Sequence, residues 1–224
     1  MHDYKNKYCL SKEQSLFLAK KKWDENVYCG MKMENRNITF PQTKTILNGV
    51  NVPGVTLDDL QAVLNMRDAW RYLINSIDTP VSLSYICKLN EFVARNEALE
   101  WGTLRIGNVG ISGTDYIPPV PDSEEVEEEL ADIILSDKSN TEKAIIAFLW
   151  GARRKIFWDG NKRTSILLAN KILVENGNGM LTITEKYMAR FNELLVEYYN
   201  TNEINQIKEF LYKYAIIGID FNAP

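Results

Sequence analysis

Histidine is almost missing from this chain of 224 residues: the only one is His2. No internal segment can therefore supply an imidazole of its own as base or metal ligand. Cysteine is nearly as sparse. Cys9, Cys29 and Cys87 are odd in number, far apart and without a C-x-x-C pair. That spacing argues against a disulfide framework or a zinc site and fits a reduced, cytoplasmic setting. No run approaches the roughly 18 apolar residues of a membrane span, and no apolar signal-peptide core follows Met1. Positive charge is in the minority, with 26 Lys and Arg against 30 Asp and Glu and a net charge of −4. Bulk electrostatics therefore favours neither nucleic acid nor an anionic membrane as partner.

What the chain does have is a core. Apolar residues make up 45% and aromatics 11%, enough for one well-cored globular domain at this length. Helix formers dominate from Ser11, a plausible N-cap, to Met33. Residues 34–55 change character, with Pro41, Gly49, Pro53 and Gly54 breaking any long period. They read as an irregular connection with one short helical turn, so residues 1–55 form an N-terminal region and residues 56–224 the main domain. Thr56 caps a helix in which Leu57, Leu60, Val63, Leu64, Trp70 and Leu73 recur at helical spacing. Pro80 separates it from a helix near 82–97.

The only strand-like region is 102–119. Val109 and Ile111 alternate with small residues, Gly107-Asn108 and Ser112-Gly113 offer turns, and Pro118-Pro119 ends the pattern. A β-hairpin over roughly 103–117 is the natural expectation. The acids of 122–129 share their helix with Val126, Leu130, Ile133 and Ile134, and are its solvated face. Two nearly apolar helices, 141–156 and 161–176, form the expected buried centre, followed by amphipathic helices at about 184–200 and 203–217. The architecture is mainly α with one hairpin.

Between the two apolar helices runs Lys155-Ile156-Phe157-Trp158-Asp159-Gly160-Asn161-Lys162-Arg163-Thr164. Asn161, Lys162 and Arg163 fall in the first turn of the second helix, where unpaired N–H groups and the helix dipole suit a phosphate. Gly160 permits close backbone approach. Arg163 can bind phosphate oxygens bidentately and Lys162 can add a mobile charge. Asp159 is the sole acid from Arg153 to Arg163, a fitting magnesium ligand beside phosphates. On turn chemistry alone, Asp159-Gly160-Asn161 is equally a tight turn with an N-cap.

The ordered set Phe157, Asp159, Gly160, Asn161, Lys162 and Arg163 resembles the active-site loop of the Fic/Doc family, H-P-F-x-(D/E)-G-N-(G/K)-R. The resemblance spans roughly residues 57–200. It implies a Fic/Doc-like helical bundle in which the hairpin is a flap over the loop. Val109, Gly110, Ile111, Ser112 and Gly113 would there hold a target peptide by adding it as a strand. It further implies ATP or another nucleotide with Mg2+, and transfer of AMP to a protein hydroxyl, or of phosphate as in the Doc branch that Lys162 favours. An antitoxin-like regulator is a further implied partner.

Two departures stand out. The family's catalytic histidine falls on Lys155 and its proline on Ile156. A lysine of ordinary pKa near 10.4 is neutral in only about 1 molecule in 2,000 at pH 7, although Arg153, Arg154, Lys162 and Arg163 would depress it. Many members also carry a second arginine, here replaced by Ile166, restrained by a glutamate in an (S/T)-x-x-x-E-(G/N) helix. The best candidate for that helix, Thr43 to Asn48, has Leu47 at the glutamate position. Ile46 and Leu47 are then expected to pack near Ile166. Two readings stay open: a protein of this transferase class that lacks the catalytic histidine and carries Lys155 in its place, and a non-catalytic module that keeps nucleotide or peptide binding.

Overall fold

The computed structural model describes residues 4–219, so His2 and the last five residues lie outside the described chain. Nine helices fill that span: α1 Lys12–Met33, α2 Phe40–Leu47, α3 Leu57–Asn75, α4 Leu83–Val93, α5 Ser123–Leu135, α6 Asn140–Arg154, α7 Asn161–Glu175, α8 Glu185–Thr201 and α9 Asn205–Tyr214. Two strands, β1 Met180–Leu181 and β2 Ile216–Ile217, pair antiparallel in one small sheet.

The first six helices begin where a short polar side chain can satisfy a first-turn N–H. Ser11, Thr39, Thr56, Ser82, Asp122 and Ser139 each accept such a bond. Each cap is typically worth about 1 kcal/mol. Ser11 with Gln14 and Thr39 with Gln42 close full capping boxes. The second box explains a difference from expectation. Residues 34–55 hold an eight-residue helix, α2, because Thr39-Phe40-Pro41-Gln42 is a strong start signal with proline in the first turn.

α7 is the centre. It is buried continuously from Arg163 to Val174, as an all-round apolar helix should be. One side joins a core with α6, α8 and α9, built on Phe148, Leu149, Leu168, Phe191 and Leu195. Leu167 and Val174 join a second core with Leu18, Val27 and Met31 of α1 and Val63, Met66 and Trp70 of α3. The N-terminal region is therefore part of the main core, and packing shows no boundary at residue 55. α6 and α7 pack on each other more extensively than any other pair of elements. Their approach needs Gly151, since a Cβ there would lie 2.3 Å from Ser165 Oγ.

Three further expectations need correction. No strand forms between residues 99 and 122; the hairpin region is an ordered loop. Its backbone partner is another segment, with the Arg105 N–H donating to the Ile156 carbonyl at 3.0 Å, and Pro118-Pro119 has no N–H to continue a ladder. The chain's two strands lie instead at 180–181 and 216–217, so the last helix ends at Tyr214 rather than 217. Finally, Ile46 and Leu47 pack with α1 and α3, while Ile166 lies in the other core.

Gly151→Ala should destabilise the fold by about 1–3 kcal/mol through overpacking. Ser165→Ala in the same chain removes the nearest clashing atom and should restore part of the loss. Thermal or urea denaturation of the single and double variants measures both.

Candidate functional site

The α6–α7 connection is held from three sides. α6 closes at Lys155, which adopts the left-handed conformation (φ 48°, ψ 58°), with its N–H donating to the Gly151 carbonyl at 3.2 Å. Glycine or asparagine usually fills such a position, and other residues lose roughly 1–2 kcal/mol there. Arg105, from the loop over the site, donates Nε to the Lys155 carbonyl at 2.6 Å. Its other guanidinium nitrogens bond the carbonyls of Gly107, Pro118 and Pro119, so one buried arginine joins both ends of that loop to the connection.

Asn161 clasps the connection from the α7 side. Its Oδ1 accepts the Phe157 N–H at 2.9 Å and its Nδ2 donates to the Phe157 carbonyl at 2.8 Å. Asn90 of α4 holds the third side. Its Nδ2 donates to the Asp159 carbonyl at 3.0 Å and to Thr164 Oγ1 at 3.2 Å, while its Oδ1 accepts the Gly102 N–H at 3.0 Å. Gly160 is required twice over. Its φ is +72°, and a Cβ would lie 2.8 Å from Val93 Cγ1.

The product of this bracing is an open helix start. α7 has no side-chain cap, unlike the six helices before it. The backbone N–H groups of Asn161, Lys162 and Arg163 form no hydrogen bond among the described residues. Asp159 is exposed, its Oδ1 accepting the Gly160 N–H at 2.5 Å. The arrangement fits phosphate oxygens. It also fits a magnesium ion that brings phosphates with it, since one carboxylate then suffices. Among the described residues, no cluster of three or more His, Cys, Asp or Glu could hold a metal unaided.

The charged side chains behave differently from expectation. Lys162 is pinned rather than mobile, with Nζ 2.7 Å from the Met33 carbonyl and 3.0 Å from Glu34. Arg163 is only 1% exposed and pairs with Glu97 at 2.9 Å, also donating to the Val93 carbonyl at 3.3 Å. Its Nε is buried without a hydrogen bond, 3.9 Å from Glu34. Burial alone would lower the Arg163 pKa, but Glu34 and Glu97 outweigh it and hold the guanidinium above its usual range. Glu97 is shared further with Asn65 Nδ2 at 2.9 Å and with Arg36.

Glu34 and Glu97 carry no signal of this role in the sequence. Glu34 follows the last residue of α1 and Glu97 lies past the end of α4, and no local pattern separates them from surface acids. Asn90 is equally silent in the local pattern, as is the bracing role of Arg105 within the covering loop. Arg153 and Arg154 are committed elsewhere. The first lies 3.9 Å over the Tyr116 ring and donates to its hydroxyl at 3.1 Å, and the second pairs with Glu125 and Glu129. Lys155 alone among these cations has no hydrogen bond or ion pair among the described residues. Burial pushes its pKa below the ordinary lysine value, with Glu34 opposing and Lys162 assisting.

The loop of 102–119 does lie over the connection. Gly107 is packed so closely on Trp158 that a Cβ would come within 2.8 Å of the indole ring. Val109 and Ile111 are half-buried, while Gly110, Ser112 and Gly113 are exposed.

A helical fold in which a braced loop opens the N-terminus of a central buried helix defines a class, and the comparisons agree on which. Residues 80–173 match the Fic/DOC family. Protein adenylyltransferase fic-1 of Caenorhabditis briggsae is 28% identical over 192 residues, covering 79% of this chain and 37% of the relative. The Caenorhabditis elegans protein of that name is 30% identical over 164 residues, covering 67% of this chain and 32% of its own length. The chain thus spans about a third of the length of these curated relatives. Among solved structures, Fic-1 (residues 134–508) of C. elegans aligns with a TM-score of 0.73 at 21% identity, over 91% of this chain and 69% of that one. A Fic domain containing signaling protein of Bacteroides thetaiotaomicron aligns at 0.74 and 18% identity, over 91% and 86%. The chain belongs to the Fic/Doc family. Among the described residues no helix is long and apolar enough to cross a membrane.

Arg163→Ala would strand Glu97 and Glu34 beside a helix start. It should lower stability by about 3 kcal/mol, the scale of a broken buried pair, with Arg36 and Asn65 limiting the loss. Chemical denaturation checks this, and an unchanged midpoint would mean that the pair contributes nothing net.

Proposed function

We propose that this chain binds ATP, or another nucleoside triphosphate, by its phosphates at the start of α7, and acts in the AMP-transferring class to which its named relatives belong. The observation that carries the reading is the uncapped first turn, with three unpartnered N–H groups behind Gly160. Phosphate oxygens would accept from the N–H groups of Asn161, Lys162 and Arg163, favoured by the helix dipole. The buried Arg163 Nε offers a further donor. Asp159 is the residue placed to bind Mg2+, which would neutralise phosphate charge when bound.

The target would be a protein segment seated along residues 106–117, where Ile106 and Ile117 are exposed. Pairing with the backbone of residues 108–115, which forms no hydrogen bond among the described residues, is the mode that suits an extended peptide. A cytoplasmic setting and a regulator of antitoxin type belong to the same proposal. A second reading has its own support. Glu34 and Glu97 already neutralise Lys162 and Arg163, and no imidazole stands at Lys155, which together favour a module that binds nucleotide or peptide without transfer.

Incubation with Mg2+ and ATP labelled on the α- or the γ-phosphate separates the outcomes. Protein-bound α-label means AMP transfer, γ-label means phosphoryl transfer, and binding without either supports the second reading. Asp159→Asn should leave thermal stability unchanged, because the side chain is exposed. It should reduce the magnesium-dependent part of ATP affinity by about 10-fold or more, a loss of ~1.4 kcal/mol. Calorimetry with and without Mg2+ reads it, and magnesium-independent binding in wild type would remove Asp159 from the site.

A further inference from the structure

Of the cations around the α6–α7 connection, Lys155 is the one the protein leaves unused. Arg105, Arg153, Arg154, Lys162 and Arg163 each have carbonyl, hydroxyl or carboxylate partners. The amine of Lys155 has none among the described residues. Its backbone, by contrast, is tightly held. The residue occupies a left-handed helix cap where glycine would be easier, and its carbonyl and that of Ile156 are both bonded by Arg105. A strained, fixed backbone carrying a free functional group is the pattern expected where the side chain is what matters. The Asn161 clasp on Phe157, two residues along the chain from Lys155, folds the connection back onto the first residue of α7.

Resting on the nucleotide reading above, we propose that Lys155 is itself the acceptor of the nucleotidyl group, forming a lysyl–AMP phosphoramidate. The Nζ lone pair forms an N–P bond to the α-phosphorus. The bond from that phosphorus to the bridging oxygen breaks, and its electron pair leaves with pyrophosphate. One proton passes from the nitrogen to water. Transfer onward to a protein hydroxyl would form an O–P bond, break the N–P bond and return a proton to the amine.

The surroundings suit a nucleophilic amine. Desolvation depresses its pKa, as do Lys162 and Arg105, while Glu34 and Asp159 oppose. Lysine amines become nucleophilic through such depression. Competing nucleophiles nearby are engaged. Tyr116 OH is bonded by Arg153, Thr164 Oγ1 by Asn90, and Ser165 Oγ donates to the Asn161 carbonyl. Burial raises the thiols of Cys29 and Cys87 to about 12 and about 11, which keeps them protonated and unreactive.

The test uses the full chain with Mg2+ and ATP, followed by intact mass measurement and peptide mapping. A gain of one AMP, located on Lys155, retaining α-label and losing γ-label, is the expected result. The adduct should be labile to mild acid and stable to alkali, as a phosphoramidate is and an AMP–hydroxyl ester is not. Its rate of formation should rise with pH and level off below the pKa of an ordinary lysine. Lys155→Arg should lower adduct yield at least 100-fold. An ATP-binding wild type that gains no AMP, or gains an acid-stable one on a hydroxyl, overturns the proposal while leaving nucleotide binding intact. Failure of wild type to bind ATP by calorimetry overturns both.

Discussion

Everything about this site follows from burying the helix whose N-terminus it uses. α7 is enclosed along nearly its whole length, so charges in its first turn must be balanced inside the protein. Arg163 is balanced by Glu97, Lys162 by Glu34, and Glu97 in turn by Arg36 and Asn65. These groups come from α3, α7 and the segments after α1 and α4. The network thereby joins the N-terminal region to the α6–α7 connection. Buried pairs of this kind add little net stability relative to apolar packing, yet removing one partner is costly. They set geometry more than they add strength.

The same constraint explains why the helix start stays open. Its connection is not held by a side-chain cap on α7, because the capping position is Gly160, where a Cβ would lie 2.8 Å from Val93 Cγ1. It is held from outside instead, by Asn90 on one side and Arg105 on the other. Arg105 is buried with only carbonyl partners, and desolvation accordingly lowers its pKa. It binds the two ends of the covering loop to the Lys155 and Ile156 carbonyls. A shift in that loop would therefore be felt at the backbone of Lys155.

Much of the fold was legible. The caps Ser11 and Thr56 announce helices in the local pattern, and the all-round apolar stretches around Phe148 and Leu168 announce the centre. Phe157-x-Asp159-Gly160-Asn161 marked the connection between the two buried helices as the candidate site. The hairpin was misread because alternation of Val109 and Ile111 with small residues satisfies a local rule for strands. Local pattern is silent on where the backbone bonds go, and Arg105 sends them to Ile156. α2 forms despite the breakers Pro41 and Gly49, because the Thr39–Gln42 capping box starts it and Pro41 sits in its first turn.

Taken alone, the sequence determined the helical periodicity, the two buried helices, the glycine that opens α7 and the lysine where an imidazole would be expected. Those are one-dimensional facts, set by spacing and residue type. Only the tertiary structure decided which cations remain available. Lys162 and Arg163 look free in the sequence and are neutralised by Glu34 and Glu97, residues 128 and 66 positions away along the chain. Lys155 looks like the least useful member of the motif and is the one left unpaired. Ion pairing depends on distance in space, falling off with separation and rising with burial, and neither quantity is written in the order of residues.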